Sequence, residues 1–415
     1  MAERDAVTVM IVDDRTEESL IADVCRLVRI PSRSSSRGGE EGDLQRVIAE
    51  EMRRGGARVR TFEPDDVPAF RAHPLCHGPD REYAGRPTVI GEIGPGDAPA
   101  LLILAHSDTV QVNRPEEWTF DPFCGEVREG KICGLGACDD KWGLAVMLAI
   151  LQNLQAAGRR LDKKLVFAST VDEEHGVGNG TLLLTLAGVK AEAALYLDGY
   201  QGKVLIGNLG GSNLYLRAKG EVTKEEWDRH AKGLESACRQ FSLRRGPLFV
   251  QDFFRDNMVK GESVFWRQRT DEGVSFFDIG FYLLPGEEGQ GFCRELEDVV
   301  AEALGNDRYR YALSYRQPWF EPSIIPEDTP LVRHVSAAVE EVLGRKAHVT
   351  TISKQDNFVL NNYAKIPTVS FGPRQQVSGP GTFHQVDEYI TIEELWSGFQ
   401  VAYRAVSRWL GEGVG

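Results

Sequence analysis

Ile132-Cys133-Gly134-Leu135-Gly136-Ala137-Cys138-Asp139-Asp140-Lys141 runs directly into the apolar segment 142–154. Small residues bring two adjacent carboxylates and a lysine to one point. The segment 141–157 that follows is apolar nearly all round, as expected of a helix inside a core rather than on its surface. Dense negative charge at the mouth of a buried helix suits metal ions.

Outward from this point, apolar runs of strand length alternate with helical periodicity. Residues 88–93 and 100–105 read as neighbouring strands, and 164–170 and 193–197 as further buried strands, with helices between and after them. The resulting expectation is an α/β fold: a mixed, mainly parallel sheet flanked by helices. Each of three buried strands ends in metal-type side chains: His106 and Asp108, then Asp172-Glu173-Glu174, then Asp198. In open α/β sheets ligands bind beyond the carboxyl ends of the strands, so these residues should meet in one crevice.

Before the sheet, 16–29 and 42–54 have helical spacing and 57–62 reads as a strand. Residues 65–86 are polar, with several Pro and His, and read as a surface loop. Around Gly210 the pattern changes to a strand at 213–218, a helix at 221–241 and a hairpin of 262–269 with 274–284 across Thr270-Asp271-Glu272-Gly273. A helix at 291–304 and a strand at 309–317 complete an α+β insertion, closed by Pro318 and Pro322. Helices at 329–343, 356–363 and 391–410 and a buried strand at 366–371 return to the first pattern. The expected organisation is a catalytic domain in two parts, 1–209 and 322–415, with 210–321 as an inserted lid.

A length of 415 residues fits two cores better than one. The formal charge of -14 argues against nucleic-acid or anionic-membrane partners. The apolar run within 1–18 is too short for a signal-peptide core, and nothing later reaches transmembrane length. Seven cysteines without a C-x-x-C pair disfavour a disulfide framework and a zinc ribbon, which fits a cytoplasmic setting.

Taken singly, each motif has an ordinary alternative. Asp139-Asp140 would serve as a solvated helix start, since carboxylates favour helix N-termini; a carboxylate there could equally bridge two divalent ions, and spacing does not say which Asp does so. Three successive acids, 172–174, repel one another unless something positive faces them, although a solvated loop would tolerate them. With metal present, one Glu can ligate while its neighbour takes a proton from the bound water. His106-Ser107-Asp108 supplies an imidazole with a nearby carboxylate to orient it. Asp198 and His384 gain weight only in this company, and His175 reads as structural.

Together, Ala105-His106-Ser107-Asp108-Thr109-Val110, Gly134 to Lys141, Asp172-Glu173-Glu174-His175-Gly176 and Gly381-Thr382-Phe383-His384 with Asp387-Glu388-Tyr389 resemble the successive motifs of the co-catalytic metallopeptidase and aminoacylase family, of the carboxypeptidase G, acetylornithine deacetylase and succinyl-diaminopimelate desuccinylase type. The resemblance covers almost the whole chain. It implies a zinc-peptidase-like catalytic domain, a lid that often dimerises, and two divalent ions bridged by Asp139. His106 and Asp198 would complete one site and Glu174 and His384 the other, with Glu173 as general base and Asp108 as the partner of His106. It also implies that Asp139, not Asp140, is the ligand, and that the peptide between them is cis. Imidazole and carboxylate donors without thiolate suit Zn²⁺, Mn²⁺ or Co²⁺.

The expected reaction is hydrolysis of a C–N bond in a small molecule, foremost the amide of an N-acyl amino acid. The alternative is release of ammonia from an activated aromatic amine at the same metal site, because the lid departs from the family pattern. Family lids carry a His soon after the first lid strand, whereas Lys219-Gly220-Glu221-Val222-Thr223-Lys224 has none and His230 falls inside a helix. In place of the family's Asp-x-Arg, Gly280-Phe281-Tyr282 precedes Leu283-Leu284-Pro285-Gly286. Arg267, Arg269 and Arg374 are candidate replacements for the carboxylate grip, against the ordinary reading of solvated charges. The lid aromatics Phe265, Trp266, Phe276, Phe277, Phe281 and Tyr282 read as core, or else as facing a flat substrate. Partners are expected to be a small-molecule substrate and a second copy of the chain through the lid.

Overall fold

The computed structural model describes residues 14–96, 99–158, 161–248, 262–271, 274–316 and 319–411. The apolar run expected within 1–18, residues 272–273 of the expected hairpin turn, and Gln317 and Pro318 lie outside these.

The strands are β1 (Arg58–Phe62), β2 (Thr88–Ile93), β3 (Pro99–His106), β4 (Glu126–Arg128), β5 (Lys131–Cys133), β6 (Lys164–Thr170), β7 (Ala193–Tyr196), β8 (Lys203–Asn208), β9 (Gly210–Ala218), β10 (Val264–Asp271), β11 (Val274–Leu283), β12 (Tyr311–Tyr315), β13 (Ser323–Ile324), β14 (Val349–Ile352), β15 (Thr368–Gly372) and β16 (Tyr389–Thr391). The principal helices are α1 (Asp14–Val28), α2 (Gly42–Arg54), α3 (Lys141–Ala156), α4 (Asn179–Leu186), α5 (Lys224–Arg245), α6 (Gly289–Leu304), α7 (Pro330–Leu343) and α8 (Ile392–Trp409). The chain forms two compact units. The first comprises Met1–Ile206, Ile325–Val349 and Val359–Gly415, and the second Gly207–Ile324 and Thr350–Phe358. The return of Thr350–Phe358 to the second unit has no counterpart in the sequence pattern.

The main sheet is mixed, with order β1-β2-β6-β3-β7-β15-β8-β13 and β14 beside β8. Its centre, β6-β3-β7-β15, is parallel, and β1-β2, β2-β6 and β15-β8 are antiparallel. β6 lies between β2 and β3, so the expected pairing of 88–93 with 100–105 does not occur. β2 pairs antiparallel with β6 from Val89↔Ser169 to Ile93↔Leu165, while β3 packs parallel to β6.

α3 runs through the first unit with Lys141 to Leu151 and Leu154 buried. Its all-round apolar surface is met by Leu20, Val24 and Leu27 of α1, Leu44 and Ile48 of α2, and Phe399 and Ala402 of α8 in one core. α8 opens on a capping box in which Thr391 Oγ1 accepts from the Glu394 N–H and Glu394 accepts from the Thr391 N–H, satisfying two otherwise orphaned donors.

The polar segment at 65–86 is irregular, as expected of a loop, but part of it turns inward instead of lying on the surface. Phe70 and Tyr83 are buried, and so are Arg81 and Arg86, because the two arginines neutralise carboxylates inside the unit.

The second unit is an antiparallel sheet, β10-β11-β9-β12, covered by α5 and α6. Alternation sends Leu214, Leu216, Val264, Phe277, Ile279 and Phe281 into its core, where Trp227 stacks on Phe277 with centroids 4.1 Å apart. Phe277 and Phe281 are therefore core residues. His230 is buried there too, held by the Tyr311 hydroxyl at 2.7 Å and Asp307 at 2.9 Å.

Candidate metal centre

The register of the parallel strands sets up the site. His106 at the end of β3 is level with Thr170 at the end of β6, and the Ser107 N–H donates to the Thr170 carbonyl at 2.8 Å. Asp172 to Glu174 and Asp198 follow β6 and β7 by two residues or a few more, so all open on the same edge. Asp139 arrives from β5 through the small-residue turn. His384 comes from the loop after β15, and that loop is tied to β5 by the pairing Cys133↔Tyr389.

One ligand atom from each of His106, Asp139 and Asp198 lies within 4.8 Å of the other two, and the same holds for Asp139, Glu174 and His384. Asp139 belongs to both groups. Its Oδ1 lies 2.9 Å from His106 Nε2 and its Oδ2 3.1 Å from His384 Nε2, so each oxygen faces one imidazole. Glu174 Oε1 is 2.9 Å from His384 Nε2. The donors are imidazole nitrogens and carboxylate oxygens, a set that fits hard to intermediate divalent ions. Three carboxylates gathered at one point also need a cation among them.

A third group, Glu41, Asp108 and Asp172, is equally tight, but protein cations already compensate it. Arg86 pairs with Glu41 through two bonds of 2.6 Å. Asp172 accepts from Arg81 Nε at 3.0 Å, the Tyr83 hydroxyl at 2.6 Å and Asn179 Nδ2 at 3.0 Å, and Arg81 Nη2 also bonds to its Oδ1. Burial opposes the Asp172 charge, but Arg81 and Arg86 outweigh it and hold its pKa below the ordinary value. The positive groups that three successive acids call for are these two arginines.

Asp139 and Asp140 diverge at the cis peptide that joins them. Asp139 faces the imidazoles, whereas Asp140 is fully buried and accepts the backbone N–H of His106 at 3.2 Å. Burial, reinforced by Asp198 and Asp139, pushes Asp140 well above the ordinary carboxylate range. Asp139 is also opposed by burial, yet the two imidazoles hold it low. For the imidazoles, burial works against charge, but the surrounding carboxylates win and raise His106 and His384 well above 6.5.

Asp108 differs from expectation in detail. Its carboxylate is 3.6 Å from His106 Nδ1, whose closer partner is the Asp108 backbone carbonyl at 3.0 Å. The carboxylate instead accepts the backbone N–H groups of Glu173 at 2.9 Å and Glu174 at 3.0 Å. Arg374 is buried beneath the His384 loop, where its guanidinium bonds the carbonyls of Gln376, Gly381 and Tyr389 and stacks 4.4 Å from the Tyr389 ring. All of its donor nitrogens therefore brace the loop. Arg267 and Arg269, in the second unit, both reach Asp278.

Glu41, Arg81, Tyr83, Arg86 and Asn179 stand in no sequence motif that marks them. Glu388, within Asp387-Glu388-Tyr389, is buried, accepts the Cys138 N–H at 3.1 Å, and has its pKa raised to about 8 by burial and then by Asp139.

The profile of peptidase family M20/M25/M40 matches residues 102–408. A succinyl-diaminopimelate desuccinylase of Bradyrhizobium diazoefficiens is 25% identical over 359 residues, covering 76% of this chain and 84% of that protein. Among solved structures, the di-peptidase Dug1p of Saccharomyces cerevisiae superposes with a TM-score of 0.74 at 12% identity, and human carnosine dipeptidase 1 with 0.71 at 13%; both alignments cover 96% of this chain and 98% of the other.

Proposed function

The chain belongs to peptidase family M20/M25/M40, and from that premise we propose that it is a metal-dependent amidohydrolase cleaving the amide of an N-acyl amino acid or a similar small molecule. The observation that carries this reading is the Asp139 carboxylate, with one oxygen turned to each of two imidazoles. The relative named for desuccinylation and the fold neighbours named as dipeptidases support a small amide substrate.

In this reading His106, Asp139 and Asp198 would hold one divalent ion, and Asp139, Glu174 and His384 a second, of Zn²⁺, Mn²⁺ or Co²⁺. Such ions supply Lewis-acid activation of water and stabilise negative charge on the substrate. Glu173 takes the proton of the attacking water and returns it to the departing nitrogen as the C–N bond breaks. Asp108 holds the backbone of Glu173 and Glu174 through both carboxylate oxygens, so the base and a ligand are fixed together. Asp140 and the Asp108 carbonyl set the position and tautomer of His106.

A homodimer through the second unit belongs to the same proposal, supported by β10 and β12 being the edge strands of its sheet among the described residues. So does a cytoplasmic setting, supported by seven unpaired cysteines. Among the described residues, no helix is long and apolar enough to cross a membrane.

Glu173→Gln should lower turnover of an N-acyl amino acid at least a hundredfold while leaving metal content unchanged. Retained turnover removes Glu173 from this role. Screening N-acyl amino acids beside substituted anthranilates, with ammonia as readout, tests the bond: ammonia from an arylamine with no amide cleavage overturns the amide assignment.

A further inference from the structure

β6 ends at Thr170, and shortly after it Asp172, with a left-handed φ of 68, turns the chain into Glu173. Glycine takes that conformation freely, whereas Asp does so at a cost that its surroundings must offset. The side chain that Asp brings to this turn is a fully buried carboxylate. Its Oδ1 accepts from Ser34 Oγ at 3.2 Å, from Arg86 Nη2 at 3.4 Å and from Arg81 Nη2. Its Oδ2 accepts from Arg81 Nε at 3.0 Å, the Tyr83 hydroxyl at 2.6 Å and Asn179 Nδ2 at 3.0 Å. Arg81 thus grips both oxygens with paired N–H donors.

These donors are themselves fixed. Asn179, at the start of α4, accepts the His77 N–H through Oδ1 at 2.9 Å and donates to the His77 carbonyl at 2.9 Å. The Tyr83 ring lies edge-on to Phe70 with centroids 5.7 Å apart, and the Arg86 guanidinium sits 5.0 Å from its centroid. Arg81 also bonds Ser34 Oγ at 3.3 Å and the Ser35 carbonyl. On the other side of the turn, the Asp108 carboxylate takes the Glu173 and Glu174 N–H groups. The backbone of Glu173 is therefore held from before and after by two buried carboxylates.

We propose, on the premise that Glu173 is the base of the proposed function, that Arg81 and Tyr83 are positioning residues that act on Glu173 through Asp172. Their side-chain hydrogen bonds go to Asp172, Asn179, Ser34 and Ser35, none of which belongs to the ligand groups around Asp139. Loss of one donor loosens the turn under Glu173 and leaves the metal-binding side chains in place. A base displaced by about 1 Å can lose about a hundredfold in rate. A network that only fastened the segment 65–86 would change stability and not rate.

Two variants of the metal-loaded full chain test it, on whichever C–N substrate the wild type hydrolyses. Tyr83→Phe removes one donor and keeps the ring against Phe70, and Arg81→Lys keeps the charge but loses the paired donors. Per metal-loaded chain, kcat should fall about fivefold in Tyr83→Phe and about thirtyfold in Arg81→Lys, with KM within about twofold and metal content as in the wild type. Hydrogen exchange followed by mass spectrometry should quicken over 171–176 in both variants and stay unchanged over β3. If Arg81→Lys does not fold, Tyr83→Phe decides alone. Wild-type kcat in the variants, or activity lost only together with metal, overturns the positioning role. Glu173→Gln is measured beside them. Turnover retained there removes the base itself, whereas an inactive Glu173→Gln with wild-type kcat in Tyr83→Phe and Arg81→Lys overturns the positioning role alone.

Discussion

At Asp108 one residue supports both halves of the centre. Its carbonyl meets His106 Nδ1, and its two carboxylate oxygens take the N–H groups of Glu173 and Glu174. Removing that carboxylate leaves two N–H groups without their acceptor at a cost of about 1–3 kcal/mol each. Asp108→Ala should therefore lower the unfolding free energy of the first unit by about 2–6 kcal/mol, and Asp108→Asn, which keeps one oxygen, by less; denaturant titration measures both. An equal loss in the two variants would show that the pairing with Glu173 and Glu174 is not what the carboxylate contributes. The choice between Asp139 and Asp140 was open in the spacing alone, because adjacent residues share every local property. It is decided by partners far along the chain: Asp139 meets His384, and Asp140 the backbone of His106.

Among the elements, the strand ends were legible. Buried strands advertise themselves as apolar runs, and a His or acid just beyond each is a local signal, so the gathering of His106, Glu174 and Asp198 around Asp139 is readable in the sequence. The segment 65–86 was not legible, because its burial has no period. Arg81, Tyr83 and Arg86 are ordered by Asp172 and Glu41, at separations of 45 to 91 residues. Asp172 itself has a left-handed backbone, φ 68, and is the hinge from β6 into Glu173 and Glu174, so the arginine network holds the turn that presents the base. Breaking a buried pair from one side costs about 3–5 kcal/mol, since a charge is left uncompensated. Arg86→Met should destabilise the protein by that amount, read as a lower denaturation midpoint. Arg86→Lys should recover only part of it, because an ammonium cannot reproduce the two parallel bonds to Glu41. A neutral Arg86→Met would mean that Glu41 is accommodated without its partner.

Over the whole molecule, the change of pattern near Gly210 falls close to the boundary between the two compact units, while the return of Thr350–Phe358 to the second unit has no counterpart in the sequence pattern. Phe277 and Phe281 pack the core of the second unit. In the first unit, Asp139 belongs to both groups of potential ligands, and in the proposed function it would hold two ions. Anomalous diffraction from crystals grown with Co²⁺ tests it most directly. Two peaks per chain are expected flanking the Asp139 carboxylate, one beside His106 and Asp198 and the other beside Glu174 and His384, both lost in Asp139→Ala. Cobalt bound elsewhere, or a centre that survives intact in Asp139→Ala, would contradict it.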